Sequence, residues 1–165
     1  ITDLGTDDDA TIDMKVMIHA LHAFDYTEEA YEACGFRFPD GGTAHTFDFV
    51  YPGKLNNCEG CHAKDEGTFY PVDPTQVLGT TIDANDPTDV TDDVVVSPNT
   101  AVCSSCHVSD LAANHMMQNG GDFDARKDPD SNLVSFGNET CQLCHGPGGS
   151  ADTAVVHGVG EFQYN

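Results

Sequence analysis

The chain has 165 residues, which is enough for one domain or for two small ones. Its 28 Asp and Glu residues far outnumber its six Lys and Arg residues, and the net charge of −22 excludes nucleic acid and anionic membrane surfaces as partners. Hydrophobic residues make up only 39% of the chain and Trp is absent, and no apolar run reaches the roughly 18 residues of a transmembrane helix.

An acidic arm and a helix open the chain. Residues 1–13 are acidic and show no hydrophobic periodicity, so they are predicted to form an arm outside the folded domain. Asp13 is placed to cap a helix that runs from Met14 to about Ala33, and Gly35 is placed to stop it.

Two patterns in the first third of the chain place histidines beside apolar side chains. The predicted helix has an apolar face at helical periodicity, formed by Met14, Met17, Ile18, Leu21 and Phe24. His19 and His22 lie on the flank of this face. Residues 43–51 then alternate as in a strand, and one side of the alternation is formed by His45, Phe47, Phe49 and Tyr51.

Residues 83–93 form an acidic loop in the middle of the chain. Hard oxygen donors occur there at short spacing, as in calcium sites: Asp83, Asn85, Asp86 and Asp89. The segment lacks both the turn glycine and the terminal glutamate of an EF-hand loop. Solvated charge is therefore the preferred interpretation, and calcium binding is the alternative.

Short helices are predicted in the second half of the chain. Their predicted starts are, in order, Ser97-Pro98, Ser109 or Asp110, Asn138, and Ser150 or Asp152. The second of them runs from Leu111 to Asn119 and carries His115, and the last carries His157. Residues 122–135 are polar and are predicted to be loop.

Six of the seven cysteines fall into three copies of one pentapeptide, C-x-x-C-H. The copies are Cys58-Glu-Gly-Cys61-His62, Cys103-Ser-Ser-Cys106-His107 and Cys141-Gln-Leu-Cys144-His145. Two thiols at this spacing reach the two vinyl groups of one haem, and the histidine that follows reaches the iron as proximal ligand. The pattern predicts three covalently attached c-type haems.

Zinc half-sites, disulfides and thioredoxin-like redox motifs are the alternatives for these cysteines. Neither zinc nor a disulfide explains a histidine after every second cysteine, and a thioredoxin motif needs a βαβ setting that the chain lacks. The seventh cysteine, Cys34, is interpreted as a small buried apolar residue. An intermolecular disulfide, or a bond to a segment outside this sequence, is the alternative for Cys34.

Eight histidines are available for the axial positions of three haems. The predicted proximal ligands are His62, His107 and His145, and the candidates for the distal positions are His19, His22, His45, His115 and His157. Methionine is the rival axial ligand, and Met116 and Met117 flank one of these histidines. Bis-His coordination is nevertheless expected at all three haems.

The length of chain between histidines limits how they pair. His115 lies eight residues after His107, a reach of at most about 26–29 Å, and most of that is used in passing round the edge of a porphyrin. His115 is therefore expected to ligate a haem other than the one at Cys103 and Cys106. The same argument applies more weakly to His157 and His145.

Only one of His19, His22 and His45 is then needed by the three haems. The other two are either ordinary histidines or ligands of haems carried elsewhere. We hypothesise the second, in which the haems belong to a neighbouring subunit or to a haem-bearing segment outside this sequence.

The expected fold class is mainly α with extensive loops and little or no β-sheet, a multihaem cytochrome c fold organised around stacked haems. Residues 14–165 would form one trihaem domain. Porphyrins supply the large apolar surfaces that the sequence lacks, so the haem-free chain is expected barely to fold.

Taken in series, these segments resemble the outer-membrane decahaem c-type cytochromes of the OmcA/MtrC family, in the C-terminal part of a pentahaem domain. The resemblance is carried by residues 17–22, 45–53, 57–62, 103–121, 141–146 and 155–157. A pentahaem domain of that family has two further C-x-x-C-H motifs ahead of these segments, and this sequence does not contain them.

The resemblance implies closely spaced bis-His haems at the outer-membrane surface or outside the cell, with a periplasmic location as the alternative. It also implies electron delivery to a metal oxide, a soluble metal, a flavin or another cytochrome. An electron-transfer protein is thus the leading interpretation, because a six-coordinate iron offers no position to a substrate. The alternatives are a nitrite or hydroxylamine reductase with one open haem, and a subunit of a polymeric cytochrome wire.

Overall fold

The computed structural model describes residues 11, 13–27, 31–33, 45–47, 50–63, 70–82, 91–128, 130 and 134–159, with the backbone alone for 31–33 and 45–47. The helices are α1 (Met14–Thr27), α2 (Pro98–Ser104), α3 (Asp110–Gln118), α4 (Gln142–His145) and α5 (Thr153–His157). The strands are β1 (Tyr31–Ala33), β2 (His45–Phe47), β3 (Thr80–Ile82), β4 (Val94–Val96) and β5 (Ala125–Arg126). Predicted features that lie outside the described residues are most of the acidic arm, Cys34, Gly35, the side chain of His45 and residues 83–90.

Helix α1 begins where the sequence predicts. The Asp13 carboxylate accepts a hydrogen bond from the backbone N–H of Lys15 at 3.1 Å, which is the geometry of an N-cap. Its second oxygen accepts one from Thr80 Oγ1 at 2.9 Å, so the cap also ties the helix to β3. Thr11, in the predicted arm, is buried and donates to the carbonyl of Thr81.

The predicted C-terminal end of this helix is wrong. Helix α1 ends at Thr27, and Tyr31–Ala33 form strand β1, which pairs antiparallel with β2. The register places Ala33 opposite His45. Tyr31 has strong strand propensity, and pairing with β2 satisfies the backbone groups of a segment that has no apolar helical face to bury.

The buried side of α1 also differs from the predicted face. Val16 and Ala23 are fully buried, whereas Met14 is 63% exposed and Ile18 is at the surface. Small side chains explain the difference, since Ala20 packs against the core and Ala23 is fully buried on the same helix. The predicted apolar face was formed by the largest apolar residues, and of these Met17 and Leu21 do pack against the core.

The core is small and centres on a three-stranded antiparallel sheet in the order β3-β4-β5. Val94–Val96 in the central strand are all buried. The buried cluster around the sheet consists of Val16, Ile82, Val94, Val96, Ala101, Ala113, Met116 and Phe123. Strand β5 lies inside the stretch that was predicted to be loop, and a strand of two residues is too short to show a period in the sequence. No helix among the described residues has the length and hydrophobicity to cross a membrane.

The later helices begin close to their predicted starts, with one exception. Ser97 precedes α2, Ser109 caps α3 and Asp152 caps α5, as predicted. Asn138 does not cap a turn: α4 begins at Gln142 with Cys141 at its N-cap, so this prediction is wrong. The carbonyl of Cys141, the first cysteine of the pentapeptide, accepts from the N–H of His145 and so forms the turn.

Candidate haem sites

The three C-x-x-C-H pentapeptides share one backbone geometry. In each, the carbonyl of the first cysteine accepts a hydrogen bond from the histidine N–H, at 2.8 Å in the first copy and 2.9 Å in the second and third. The same carbonyl accepts from the N–H of the second cysteine in all three copies. Residues three and four apart on a helical turn lie on one side, so both thiols and the imidazole of each pentapeptide project together.

The six cysteines of the pentapeptides are free thiols, which is contrary to the disulfide alternative. Burial is the main cause that raises the pKa of Cys103 to about 12 and that of Cys106 to about 11. Both thiols are therefore harder to ionise than an ordinary exposed cysteine. Among the described residues, no group of three or more Cys, His, Asp or Glu side chains is arranged to hold a metal ion.

Three pairs of imidazole rings lie at nearly the same separation. The ring centroids of His19 and His62 are 6.1 Å apart, those of His107 and His157 are 5.9 Å apart, and those of His115 and His145 are 6.0 Å apart. Each pair joins one pentapeptide histidine to one histidine from a helix. All three predicted proximal residues thus have one of the predicted distal residues opposite them.

This separation fits two imidazoles on opposite sides of one iron. With metal–nitrogen bonds of about 2.0 Å, two trans imidazoles have ring centroids roughly 6 Å apart. The planes of His19 and His62 meet at 29°, and the other two pairs lie edge to face. The residues present therefore fit bis-His haem.

The pairing exchanges ligands between the second and third pentapeptides. His115 follows the second pentapeptide in the chain but lies opposite His145 of the third. His157 follows the third but lies opposite His107 of the second. Helix α3 therefore carries a side chain to the third site, and helix α5 carries one to the second, so the two sites interlock.

Backbone hydrogen bonds orient several of these imidazoles. Nδ1 of His19 lies within hydrogen-bond distance of the carbonyl of Lys15, Nδ1 of His157 is 2.9 Å from that of Thr153, and Nδ1 of His145 is 3.0 Å from that of Ala151. A carbonyl only accepts, so Nδ1 carries the hydrogen in each bond and Nε2 keeps its lone pair. A second partner of this kind is typical of histidines that bind metals.

The remaining pentapeptide histidines are held in the neutral form. Burial, and then the neighbouring His19, lowers the pKa of His62. Burial, followed by His157 and His145, lowers the pKa of His107. A neutral imidazole is the form that binds iron, so the electrostatics of these sites agree with their geometry.

Exposed apolar side chains surround the paired histidines. Leu111 is 81% exposed and lies one helical turn before His115, and Leu143 is 79% exposed and lies inside the third pentapeptide. Val155 and Val156, which immediately precede His157, are exposed as well. Large exposed apolar groups mark surfaces that bind another apolar body, and the flat faces of a porphyrin match that need.

Side chains hold helix α5 at both ends, and two of them, Tyr70 and Asn56, were not predicted from the sequence. Asp152 accepts hydrogen bonds from the backbone of Ala154 at 2.9 Å and of Gly148 at 2.6 Å, and Tyr70 Oη donates to it at 3.2 Å. At the other end of the helix, the carbonyl of Gly158 accepts from Asn56 Nδ2 at 3.4 Å. Tyr70 and Asn56 are 82 and 102 positions from their partners, so no local pattern identifies them.

His22 differs from the paired histidines in its ring contact. Its Nδ1 is 2.6 Å from the carbonyl of Ile18, the same type of bond that His19 and His157 make. Its ring packs edge to face against Tyr51, with centroids 4.4 Å apart, and it borders a cavity of about 230 Å³. His19, His22 and His45 were predicted to supply one ligand among them. The structure brings His19 to a pentapeptide, and the side chain of His45 lies outside the described residues.

Comparison with known families agrees with this geometry. The family described as outer membrane cytochrome MtrC/MtrF-like, domains II/IV, matches residues 2–158 of the chain. No curated protein matches the chain significantly. The resemblance predicted from the sequence is confirmed, and the match covers nearly the whole chain, all three pentapeptides included. The chain belongs to the MtrC/MtrF-like family of outer-membrane cytochromes, and this membership implies c-type haem as the cofactor and electron transfer as the function.

Proposed function

We propose that the chain holds three c-type haems and transfers electrons between them in respiration at the outer membrane. The observation that carries this proposal is the set of three imidazole pairs with ring centroids 5.9–6.1 Å apart, one pair at each C-x-x-C-H pentapeptide. Haem iron supplies one-electron oxidation and reduction. The chain contributes the thiols for attachment and two imidazoles for each site.

The six residues that attach the three haems would be Cys58, Cys61, Cys103, Cys106, Cys141 and Cys144. Electrostatic interactions between these thiols support an order in space. Cys106 interacts with Cys58 of the first pentapeptide, and Cys103 interacts with Cys141 of the third. This supports a proposed order in which the second site neighbours both of the others, and electrons would pass through it.

Filled axial positions favour electron transfer over catalysis. Each pentapeptide histidine has a second imidazole opposite it, so none of the three sites would keep an open position for nitrite, hydroxylamine or peroxide. The net charge of −22 favours the oxidised, more positive state of the haems and lowers their potentials. The electron acceptors that fit this proposed function are a metal oxide, a soluble metal, a flavin or another cytochrome. They would lie outside the cell or, alternatively, in the periplasm.

A second proposal concerns His22. His22 has the same Nδ1 hydrogen bond to the preceding turn as the paired His19 and His157, which leaves its Nε2 free to bind a metal. It borders a cavity of about 230 Å³ together with Tyr51 and Leu55. This supports ligation of a haem carried by another chain or segment, as in a polymeric wire, and the size of the purified holoprotein distinguishes a single chain from an assembly.

We expect three haems per chain, all of them low spin. A pyridine haemochrome assay on holoprotein of known concentration should give three haems, and carbon monoxide should bind to none of them. One or two haems per chain would contradict the proposed attachment sites. Carbon monoxide binding to a third of the haem would instead favour the reductase alternative.

We expect Asp152→Ala to weaken the second site. The bond from the Gly148 N–H is the main cause that lowers the pKa of Asp152, so this cap is charged at neutral pH and its removal frays helix α5. His157 is then displaced from its position opposite His107 part of the time. The high-spin band of one haem should therefore grow with temperature. Tyr70→Phe is the matched control, because it removes a single bond to Asp152 and leaves the cap in place. An unchanged spectrum in Asp152→Ala would show that the cap does not hold His157.

A further inference from the structure

Glu139 is a buried carboxylate with an unusually full set of donors. It is 5% exposed, and both of its oxygens accept hydrogen bonds. Oε1 accepts from Ser97 Oγ at 2.7 Å and from both the N–H and the Oγ1 of Thr100 at 2.8 Å. Oε2 accepts from both the N–H and the Nδ2 of Asn99 at 2.9 Å. All five donors are neutral groups, so neutral donors solvate the negative charge, and no cation of the part of the chain that the structure describes forms an ion pair with it.

The position of Glu139 joins two pentapeptides. It lies two residues before Cys141, which opens the third pentapeptide. Its donors form the first turn of helix α2, and Cys103 of the second pentapeptide lies in the same helix. One buried charge is thus shared by two neighbouring attachment sites, while the first pentapeptide has no residue in this hydrogen-bonded group.

The charge is retained and its field reaches both sites. Burial by itself raises the pKa of Glu139, but the bonds from Ser97, Asn99 and Thr100 outweigh it, and the pKa lies below the usual value of 4.5. The same charge contributes to the raised pKa of Cys103 and of Cys141, in each case after burial. These thiols stand in for the thioether sulfurs of attached haem, so the field acts where the haem edges would lie.

We propose that Glu139 is a fixed buried charge that lowers the reduction potentials of the second and third haems together, relative to the first. This inference rests on the proposed function, since it needs haem at both sites. Reduction adds an electron, and a negative charge held nearby in a medium of low dielectric constant opposes it. Glu139 acts through its charge and touches no axial histidine, so it is a residue that tunes the haems and not a ligand.

Glu139→Gln removes the charge and keeps most of the hydrogen bonds. The new amide oxygen can take the two bonds from Asn99, and the amide nitrogen can donate to the hydroxyls of Ser97 and Thr100, since a hydroxyl also accepts. The N–H of Thr100 and the hydroxyl hydrogens of Ser97 and Thr100 lose the acceptor that the carboxylate provided. In a redox titration of the holoprotein, we expect the equilibrium constants for reduction of two haems to rise about tenfold, which is roughly 59 mV for a one-electron couple, with the third unchanged.

Two further variants separate charge from structure. Glu139→Asp keeps the charge but shortens the side chain, so its potentials should stay close to those of the native protein. If the potentials of Glu139→Asp rise as far as those of Glu139→Gln, the role is structural and the inference is wrong. Asp124→Asn removes one exposed charge, which water and salt screen, so it should shift the haems little.

The count of low-spin haems is measured first on every variant and on the native chain. Fewer than three haems in the native chain would contradict the proposed function itself. Three low-spin haems in Glu139→Gln with unchanged potentials, or with all three potentials shifted equally, would overturn the inference on Glu139 alone.

Discussion

Replacing His115 by alanine should convert one of the three haems to high spin and leave the other two low spin. The ring of His115 lies 6.0 Å from that of His145, so the haem affected should be the one at the third pentapeptide. Loss of the imidazole opens one coordination position, and carbon monoxide should then bind to one haem in three. The absorption spectrum of the oxidised protein and the stoichiometry of carbon monoxide binding measure this directly.

His22→Ala is the matched control for this change. His22 makes the same Nδ1 hydrogen bond to a helix carbonyl as the paired His19 but packs against Tyr51, so all three haems of the isolated chain should stay low spin in this variant. His115→Ala combined with His157→Ala should open two haems, because the two side chains face different pentapeptide histidines. A fully low-spin spectrum in His115→Ala, or a single open haem in the double variant, would contradict the pairing.

The features that the sequence predicts well are those that depend on neighbours along the chain. Each pentapeptide is one helical turn, and its thiols and imidazole need no distant contact to lie together. The caps Asp13, Ser109 and Asp152 act on backbone groups two or three residues away; Asp13 was predicted alone, and Ser109 and Asp152 are each one of the two residues that the pattern offered. Such features depend on local hydrogen bonds, so they can be predicted from the sequence without knowledge of the fold.

Partners that are far apart in the chain were only partly predictable. Chain length argued that His115 serves a haem other than the one beside it, but it could not select His145, which lies 30 positions away. The bonds of Glu139 to Ser97 and Thr100 span 42 and 39 positions, and no pattern in the sequence joins these segments. Only the packing of α2 against the turn that carries Cys141 brings them together.

The buried face of α1 shows a different limit. Periodicity selects the largest apolar side chains, yet helix packing here depends on the small residues Ala20 and Ala23 and on Val16. Met14 and Ile18, which the pattern assigned to the core, are exposed in the structure. In a protein that also binds apolar cofactors, an apolar side chain can pack against the protein core or against a cofactor. Periodicity alone does not distinguish these two cases.

The unmatured chain, without haem, should lose most of its fixed tertiary structure. Eight residues form the buried cluster of the described part, while Leu111, Leu143 and Val155 are each at least three-quarters exposed. Such a core gives little hydrophobic stabilisation against the entropy of ordering a chain of 165 residues. A covalently attached haem stays on the unfolded chain, but its burial and its distal axial bond are gained only on folding and would supply the difference at every site.

The interlocked second and third sites make this prediction specific. Replacing Cys58 and Cys61 by alanine removes the first haem but leaves both interlocked sites, so the chain should remain folded with two haems. Replacing Cys141 and Cys144 instead frees His115 on α3, so resistance to protease and thermal stability should fall much further. The measurements are circular dichroism and limited proteolysis of the three forms: haem-free chain, first pair replaced and third pair replaced. A protease-resistant haem-free chain would contradict the view that the cofactors form the core, and equal losses for the two cysteine pairs would contradict the exchange of ligands between the second and third sites.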